Sequence, residues 1–295
     1  MRAIPYVGAA IFVSILGGPA HSQGGPSGLL NVHRVTANLY WLDNEASGGN
    51  VAVLVGNDGV LLVDAHGSAD AQALLATVKT ISDSPIRFVI DTHCHTDHTA
   101  GNAALQRAGA TVVAQDTLRR RLEAKKCDND VALPTLTFDR ELTLHFDDEE
   151  VRAIALPKGH TDGDAIVYFT KANVVAVGDA FVSSEHPFYS KYAGGNMLGV
   201  NEQLRRIVAL FPDDVKIITG HGPLSSRSDV RRVLETLDGM RDAIVPQVAK
   251  GKTFAELQEM HLLDPWKNVL PDDARAMYLR FYYDSLGPPD PKFEL

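Results

Sequence analysis

Thiols are scarce: Cys94 and Cys127 are the two cysteines in 295 residues. That is too few for a cysteine-built structural zinc module or a disulfide-dense scaffold. Clustered positive charge is missing too. Twenty-eight Lys and Arg stand against 37 Asp and Glu, a formal net charge of −9, and the basic residues are scattered. A nucleic-acid surface needs them gathered, so nucleic acid is excluded as a partner. The single basic triple, Arg119 to Arg121, falls in a stretch that reads as a surface helix, and a solvated face is the expectation. Past the N-terminus there is no low-complexity tract, no block of like charge and no apolar run long enough to cross a membrane.

What is present begins with a leader. Met1 and Arg2 precede an apolar run from Ala3 to Gly18, followed by Pro-Ala-His-Ser-Gln. This is the pattern of a signal peptide over residues 1–22, cut after Ala20 or Ser22. The run is broken by Pro5, Gly8, Gly17 and Gly18, so stable membrane insertion after leader removal is not expected. Export to a bacterial periplasm, or secretion, is. Residues 23–29 read as a flexible lead-in, and 30–295 as one domain with a helical C-terminal tail.

Within that domain, Leu39–Leu42, Val51–Val55 and Val60–Asp64 read as buried strands with an antiparallel start. Asp43 to Gly49 is a flexible connector able to overhang a site. A helix over Ser68–Ile81 and a strand over Arg87–Ile90 follow, then a helix from about Ala100 to Arg107 and a strand over Thr111–Ala114. Asp116 is the expected cap of the next helix. Glu141–Phe146, Val151–Leu156, Ala165–Phe169 and Val174–Val177 are four more strands. From Ser228 onward the chain reads helical. Two β-rich halves with helices outside predict an α/β fold, a four-layer αββα sandwich.

Asp91 to Asn102 reads D-T-H-C-H-T-D-H-T-A-G-N. Four side chains of the kind that bind zinc occupy six positions, at the spacing H-x-H-x-D-H. Three later strand ends each lead to another: Leu156 to His160, Val177 to Asp179, and Thr219 to His221. His93, His95 and His160 can make one site and Asp97, His98 and His221 a second, with Asp179 between them. Seven ligands suit two Zn2+ ions per chain. An open position on zinc holds water whose pKa falls toward ~7, and a hydroxide between two metals attacks a carbonyl. Cys94 alternates away from its histidine neighbours, so packing behind the loop is expected rather than ligation. Whether it pairs with Cys127 is open.

The runs H-C-H-T-D-H-T-A-G-N, P-K-G-H-T-D-G-D, V-G-D-A-F and T-G-H-G-P, in this order, resemble the metal-binding motifs of the metallo-β-lactamase-fold hydrolase superfamily, over roughly Val32 to Arg227. The resemblance implies the same division of ligands, with Asp179 as the bridge, Asp97 orienting the metal-bound hydroxide, and Asp64 supporting the ligands from behind. It suggests Lys158, His186 and Tyr189 as substrate contacts. His66 and His145 are expected to be structural, and His33 and His261 to have no role. Zinc β-lactamases carry cysteine or serine where this chain has Asp179. A bridging aspartate is instead similar to hydroxyacylglutathione hydrolase (glyoxalase II) and the lactonases. The expectation is a dizinc hydrolase cleaving a C(=O)–X bond in a small molecule, plausibly with β-lactamase activity. Its alternatives are a lactonase or thioesterase of the same fold and, from another class, a non-catalytic periplasmic metal-binding accessory protein.

Overall fold

The runs Val51–Leu54 and Val60–Val63 are apolar at every position, so neither face can be left to water, and the fold supplies a core for each. Val51, Val53, Val60 and Leu62 point into one cluster, while Ala52, Leu54, Leu61 and Val63 point into another. This is the side-chain alternation of a strand buried on both sides. Full burial of each such Val or Leu stabilises the fold by roughly 1.5–3 kcal/mol.

The structure, a computed structural model, describes residues 28–44, 48–67, 70–127, 131–183, 186–288 and 291–295. The expected leader and most of the lead-in lie outside the described residues, as does part of the connector before Gly48. The first half runs β1 (Asn31–Arg34), β2 (Leu39–Asp43), β3 (Val51–Gly56), β4 (Gly59–Val63), α1 (Ala71–Ile81), β5 (Ile86–Ile90), α2 (Thr96–Thr99), α3 (Asn102–Arg107), β6 (Thr111–Gln115), α4 (Asp116–Glu123) and β7 (Leu136–Phe138). The second runs β8 (Glu141–Phe146), β9 (Glu149–Ala155), β10 (Ala165–Phe169), β11 (Val174–Ala176), α5 (Met197–Leu210), β12 (Lys216–Ile218), β13 (Ser225–Ser226), α6 (Arg227–Ala249), α7 (Phe254–Glu259) and α8 (Asp272–Ser285).

Each half forms one sheet, with strand orders β1-β2-β3-β4-β5-β6-β7 and β13-β12-β11-β10-β9-β8. Leu39, Leu54 and Leu61 of the first meet Val151, Val167 and Phe169 of the second in a shared central core. Leu74, Val78 and Leu105, from α1 and α3, cover the outer face of the first sheet. Leu204, Leu237 and Tyr278, from α5, α6 and α8, cover the second against Ile166, Val175 and Ile217. The expected α/β four-layer sandwich is the observed architecture.

The sheets matter to function because their strand ends converge. Strands β4 and β5 are parallel with Val63 beside Ile90, and β11 and β12 are parallel with Ala176 beside Ile218. The loops leaving each pair therefore start at one level. The halves are joined there by backbone hydrogen bonds: the Ala165 amide donates to the Thr92 carbonyl at 2.8 Å, and the Asn50 amide to the Gly220 carbonyl at 2.7 Å.

Three local readings need correction. Helix α4 is capped by Gln115, whose side chain accepts from the Thr117 amide. Asp116 is its first residue, where a negative charge favours the positive helix end. The basic triple is a solvated face only in part: Arg120 is exposed, but Arg121 has no exposed surface and forks onto Asp162, Nε to Oδ1 at 2.5 Å and Nη2 to Oδ2 at 2.6 Å. Helix α5 stands in a stretch for which no element was expected. Asn196 caps it, its Oδ1 accepting from the Leu198 and Gly199 amides, and Met197, Val200, Leu204 and Ile207 are its buried stripe.

Gly101 follows the metal-capable loop, and a Cβ there would overlap the Ala65 carbonyl oxygen. Gly101→Ala should therefore cost about 1–3 kcal/mol through overpacking, read as a lowered denaturation midpoint at constant slope. An unchanged midpoint would show that β4 and this loop are not in tight apposition.

Candidate metal centre

The seven side chains arrive on four loops and meet as two groups. His93, His95, His160 and Asp179 offer donor atoms within 4.8 Å of one another, and so do Asp97, His98 and His221. Asp179 joins them. Its Oδ2 lies 3.8 Å from His93 Nε2 and 3.5 Å from His160 Nε2, while its Oδ1 lies 3.3 Å from His98 Nε2 and 3.5 Å from His221 Nε2. In the second group Asp97 Oδ2 is 3.1 Å from His221 Nε2 and 3.4 Å from His98 Nε2. His95 turns its other nitrogen inward, Nδ1 facing His160 Nε2 at 3.0 Å.

These spacings fit a metal. Ligands ~2.0–2.1 Å from a tetrahedral zinc stand roughly 3.3 Å apart, which is the range observed. The donor set is imidazole and carboxylate, as zinc accepts. Moreover, His93 Nε2 and Asp179 Oδ1 are buried with no hydrogen-bond partner. Buried polar atoms are normally satisfied, and a cation on either would satisfy them.

Groups behind the site fix which nitrogen faces in. His98 Nδ1 donates to Asp64 Oδ2 at 2.8 Å, and Asp64 is held in turn by the Thr92 amide and hydroxyl at 2.7 and 2.9 Å. The Thr92 hydroxyl also lies 3.1 Å from His93 Nδ1, and His160 Nδ1 donates to the Phe188 carbonyl at 3.2 Å. An imidazole anchored by one nitrogen presents the other in a fixed direction. Behind His160, Asp164 accepts from the Thr161 amide at 2.8 Å and from Gln203 Nε2 at 2.6 Å. Asn50 Nδ2 donates to the carbonyls of Thr219 and Gly222, at 2.9 and 2.8 Å, and so holds the loop of His221. Gly48 and Gly49 close over the second group, since a Cβ on them would overlap the rings of His66 and His98.

Electrostatics divide the two groups. Burial holds the His93 imidazole well below its ordinary pKa, aided by His98, and burial takes His160 down to about 4. His98 goes the other way. Burial opposes its charge, but Asp179, Asp64 and Asp97 surround it and raise it well above the usual value. His221 is raised likewise, against burial, by Asp97 and Asp179. Burial would raise Asp97 and Asp179, yet the neighbouring histidines hold both low, His98 foremost.

Of the other residues singled out in the sequence, Lys158 and Tyr189 engage the C-terminal region. Lys158 Nζ faces Glu294 at 3.4 Å, and Tyr189 packs on Phe281. Both line a cavity of about 150 Å³ together with Lys191, Asn196 and Phe293. The His186 ring lies 6.2 Å from that of Tyr278. His33 stacks on Trp41 at 4.0 Å and bonds Asp43 at 2.8 Å. His145 is exposed on β8. Sequence reasoning missed Asn50, Thr92, Asp164 and Gln203; His66, expected to be structural, is buried with neither ring nitrogen hydrogen-bonded and Nδ1 3.5 Å from Asp70. The P-K-G-H-T-D-G-D run contained a signal for Asp164, a second acid at a fixed distance from the histidine. Cys94 is buried and disulfide-bonded to Cys127, so the pairing left open is made.

A four-layer sandwich with two adjoining groups of histidine and aspartate side chains at its strand ends is the fold and site of a metallohydrolase. The sequence matches the Metallo-beta-lactamase superfamily over residues 45–221, more than half its length. The chain belongs to that superfamily and is a zinc-dependent metallohydrolase. It is 23% identical over 219 residues to a metallo-beta-lactamase type 2 of Bacillus sp. (strain 170), covering 72% of this chain and 82% of that protein. It is 27% identical over 205 residues to a hydroxyacylglutathione hydrolase of Brucella anthropi, covering 68% and 71%. Among solved structures, a metallo-beta-lactamase from Pontibacter korlensis shares the fold with a TM-score of 0.64 at 20% identity, covering 71% of this chain and 99% of that one.

A pH order follows. Metal ligation needs neutral imidazole. His98 and His221, raised, take up protons at higher pH than His93 and His160, lowered. If each group holds a zinc ion, acidification at fixed free zinc should empty the second group first and the first group only in stronger acid, with zinc per chain falling in two steps. Loss of both ions in one step, or retention of zinc only by the second group, would contradict this division.

Proposed function

We propose that the chain is a dizinc hydrolase that cleaves a C(=O)–X bond in a small molecule. The observation that carries this is the orientation of Asp179, one carboxylate oxygen toward each histidine group. Seven residues, His93, His95, Asp97, His98, His160, Asp179 and His221, hold the ions in this reading. When bound, zinc supplies positive charge that polarises a carbonyl and brings the pKa of water toward ~7. The protein supplies position. Asp97 and His221 have side chains 38% and 30% exposed, against 5% for Asp179, so the substrate approaches from their side. Asp97 is placed to accept a hydrogen bond from the attacking water and orient it, while Asp64 holds His98 from behind.

Asp179 also bears on the substrate. A carboxylate that faces both groups would lower the net positive charge that bound zinc offers an amide carbonyl, and so would favour more activated acyl groups, lactone or thioester, with β-lactam cleavage as an accompanying activity. That a metallo-beta-lactamase and a hydroxyacylglutathione hydrolase are similar to this chain at comparable identity supports this breadth. The N-terminal leader pattern and the Cys94–Cys127 disulfide support export to the periplasm, since disulfides persist in oxidising compartments. Among the described residues no helix is long and apolar enough to cross a membrane.

The test is a panel of a chromogenic β-lactam, a lactone and a thioester offered to zinc-loaded protein. At least one should turn over, lose activity to a chelator and regain it with zinc, and Asp97→Asn should lower kcat by about 100-fold or more, the scale expected of a group that positions a reactant. Fully zinc-loaded protein inert toward all three classes would overturn the reading.

A further inference from the structure

Helix α4 carries no proposed metal ligand, yet it is attached to both loops that build the first histidine group. Beyond its C-terminal end, Cys127 is disulfide-bonded to Cys94, which lies between His93 and His95. From its buried face, Arg121 forks onto Asp162, two residues past His160, at 2.5 and 2.6 Å. The remaining guanidinium nitrogen, Nη1, donates to the carbonyls of Lys126, Tyr192 and Phe293 at 3.2, 3.4 and 3.1 Å. Leu118, Leu122, Cys94, Ala114 and Ala193 fill the space between as a small core of their own. A Cβ on Gly163 would overlap the α4 backbone at Leu118, and one on Gly194 would overlap the Arg121 guanidinium. The loops thus sit directly on the helix.

Arg121 has no exposed surface, and burying a guanidinium is costly unless its donors are matched. Here Nε and Nη2 are matched by Asp162 on the His160 loop, and Nη1 by the carbonyls of Lys126, Tyr192 and Phe293, so the burial fixes the His160 loop against α4. A lysine could hold the charge but not the two parallel bonds to Asp162. The second group is anchored otherwise, His98 by Asp64 and the His221 loop by Asn50.

We propose that α4, through the Cys94–Cys127 disulfide and the Arg121–Asp162 pair, is a cross-brace that holds His95 and His160 at ligating distance. Arg121, Asp162 and the cystine are positioning residues for the first metal group and not for the second. This rests on the dizinc reading above.

Cobalt(II) titrated into the metal-free full chain and followed by visible absorption tests it. His160→Ala and His221→Ala serve as references that assign the spectrum of each group. In Arg121→Lys, and separately in Cys94→Ala with Cys127→Ala, cobalt affinity of the first group should fall about 10- to 100-fold, the range for residues that orient ligands from behind. Affinity of the second group should not change. Equal weakening of both groups would mean general loosening and overturn the proposal, as would unchanged affinity at both. The two variants are independent, so a failure of either to fold leaves the other decisive. Wild-type protein that takes up no cobalt would overturn the dizinc reading itself, an outcome distinct from an unselective variant.

Discussion

One carboxylate shared between two sets of imidazoles sets the terms for the rest of the structure. Asp179 is buried, and a buried negative charge is expensive unless it is paired. Its partners are His93 and His160 on one oxygen, His98 and His221 on the other. For one side chain to reach both, four loops from two sheets must end within a few ångströms of each other. The parallel pairing of β4 with β5 and of β11 with β12, and the backbone bonds that tie Thr92 to Ala165 and Asn50 to Gly220, bring that about.

Charge is then distributed unevenly. In the first group burial keeps the His93 and His160 imidazoles neutral, ready to give lone pairs to a cation. In the second, His98 faces Asp64, Asp97 and Asp179, so without a metal a proton supplies the positive charge that the carboxylates require. The same cluster also sets direction. Asp64, Thr92 and Asp164 lie on its buried side, while Asp97 and His221 are the more exposed members of the second group.

Much of this site was legible in the sequence because its densest part is local. H-x-H-x-D-H declares four donors in six residues, and the later donors each follow a recognisable strand. The sandwich was legible for a related reason: runs such as Val60–Val63 have no polar face, which demands layers on both sides. What escaped detection depends on distant partners. Arg121 looked like one of three solvated arginines because Asp162 lies 41 residues away. The Cys94–Cys127 bond could be allowed but not deduced, since spacing does not determine pairing. Helix α5 was hidden by the Gly-Gly-Asn stretch before it, although its buried residues do recur at helical spacing.

The superfamily is defined by this fold and metal site, whereas in the proposed reading the substrate depends on the charge that Asp179 brings between the two groups and on what lines the surface beside Asp97. The central claim is that both histidine groups hold zinc with Asp179 between them. Crystals of the zinc-loaded protein, measured at wavelengths on either side of the zinc absorption edge, test this most directly. Two anomalous peaks should appear, one among His93, His95 and His160 and one among Asp97, His98 and His221, with an Asp179 oxygen on each. A single peak, or two peaks with Asp179 bound to neither, would contradict it.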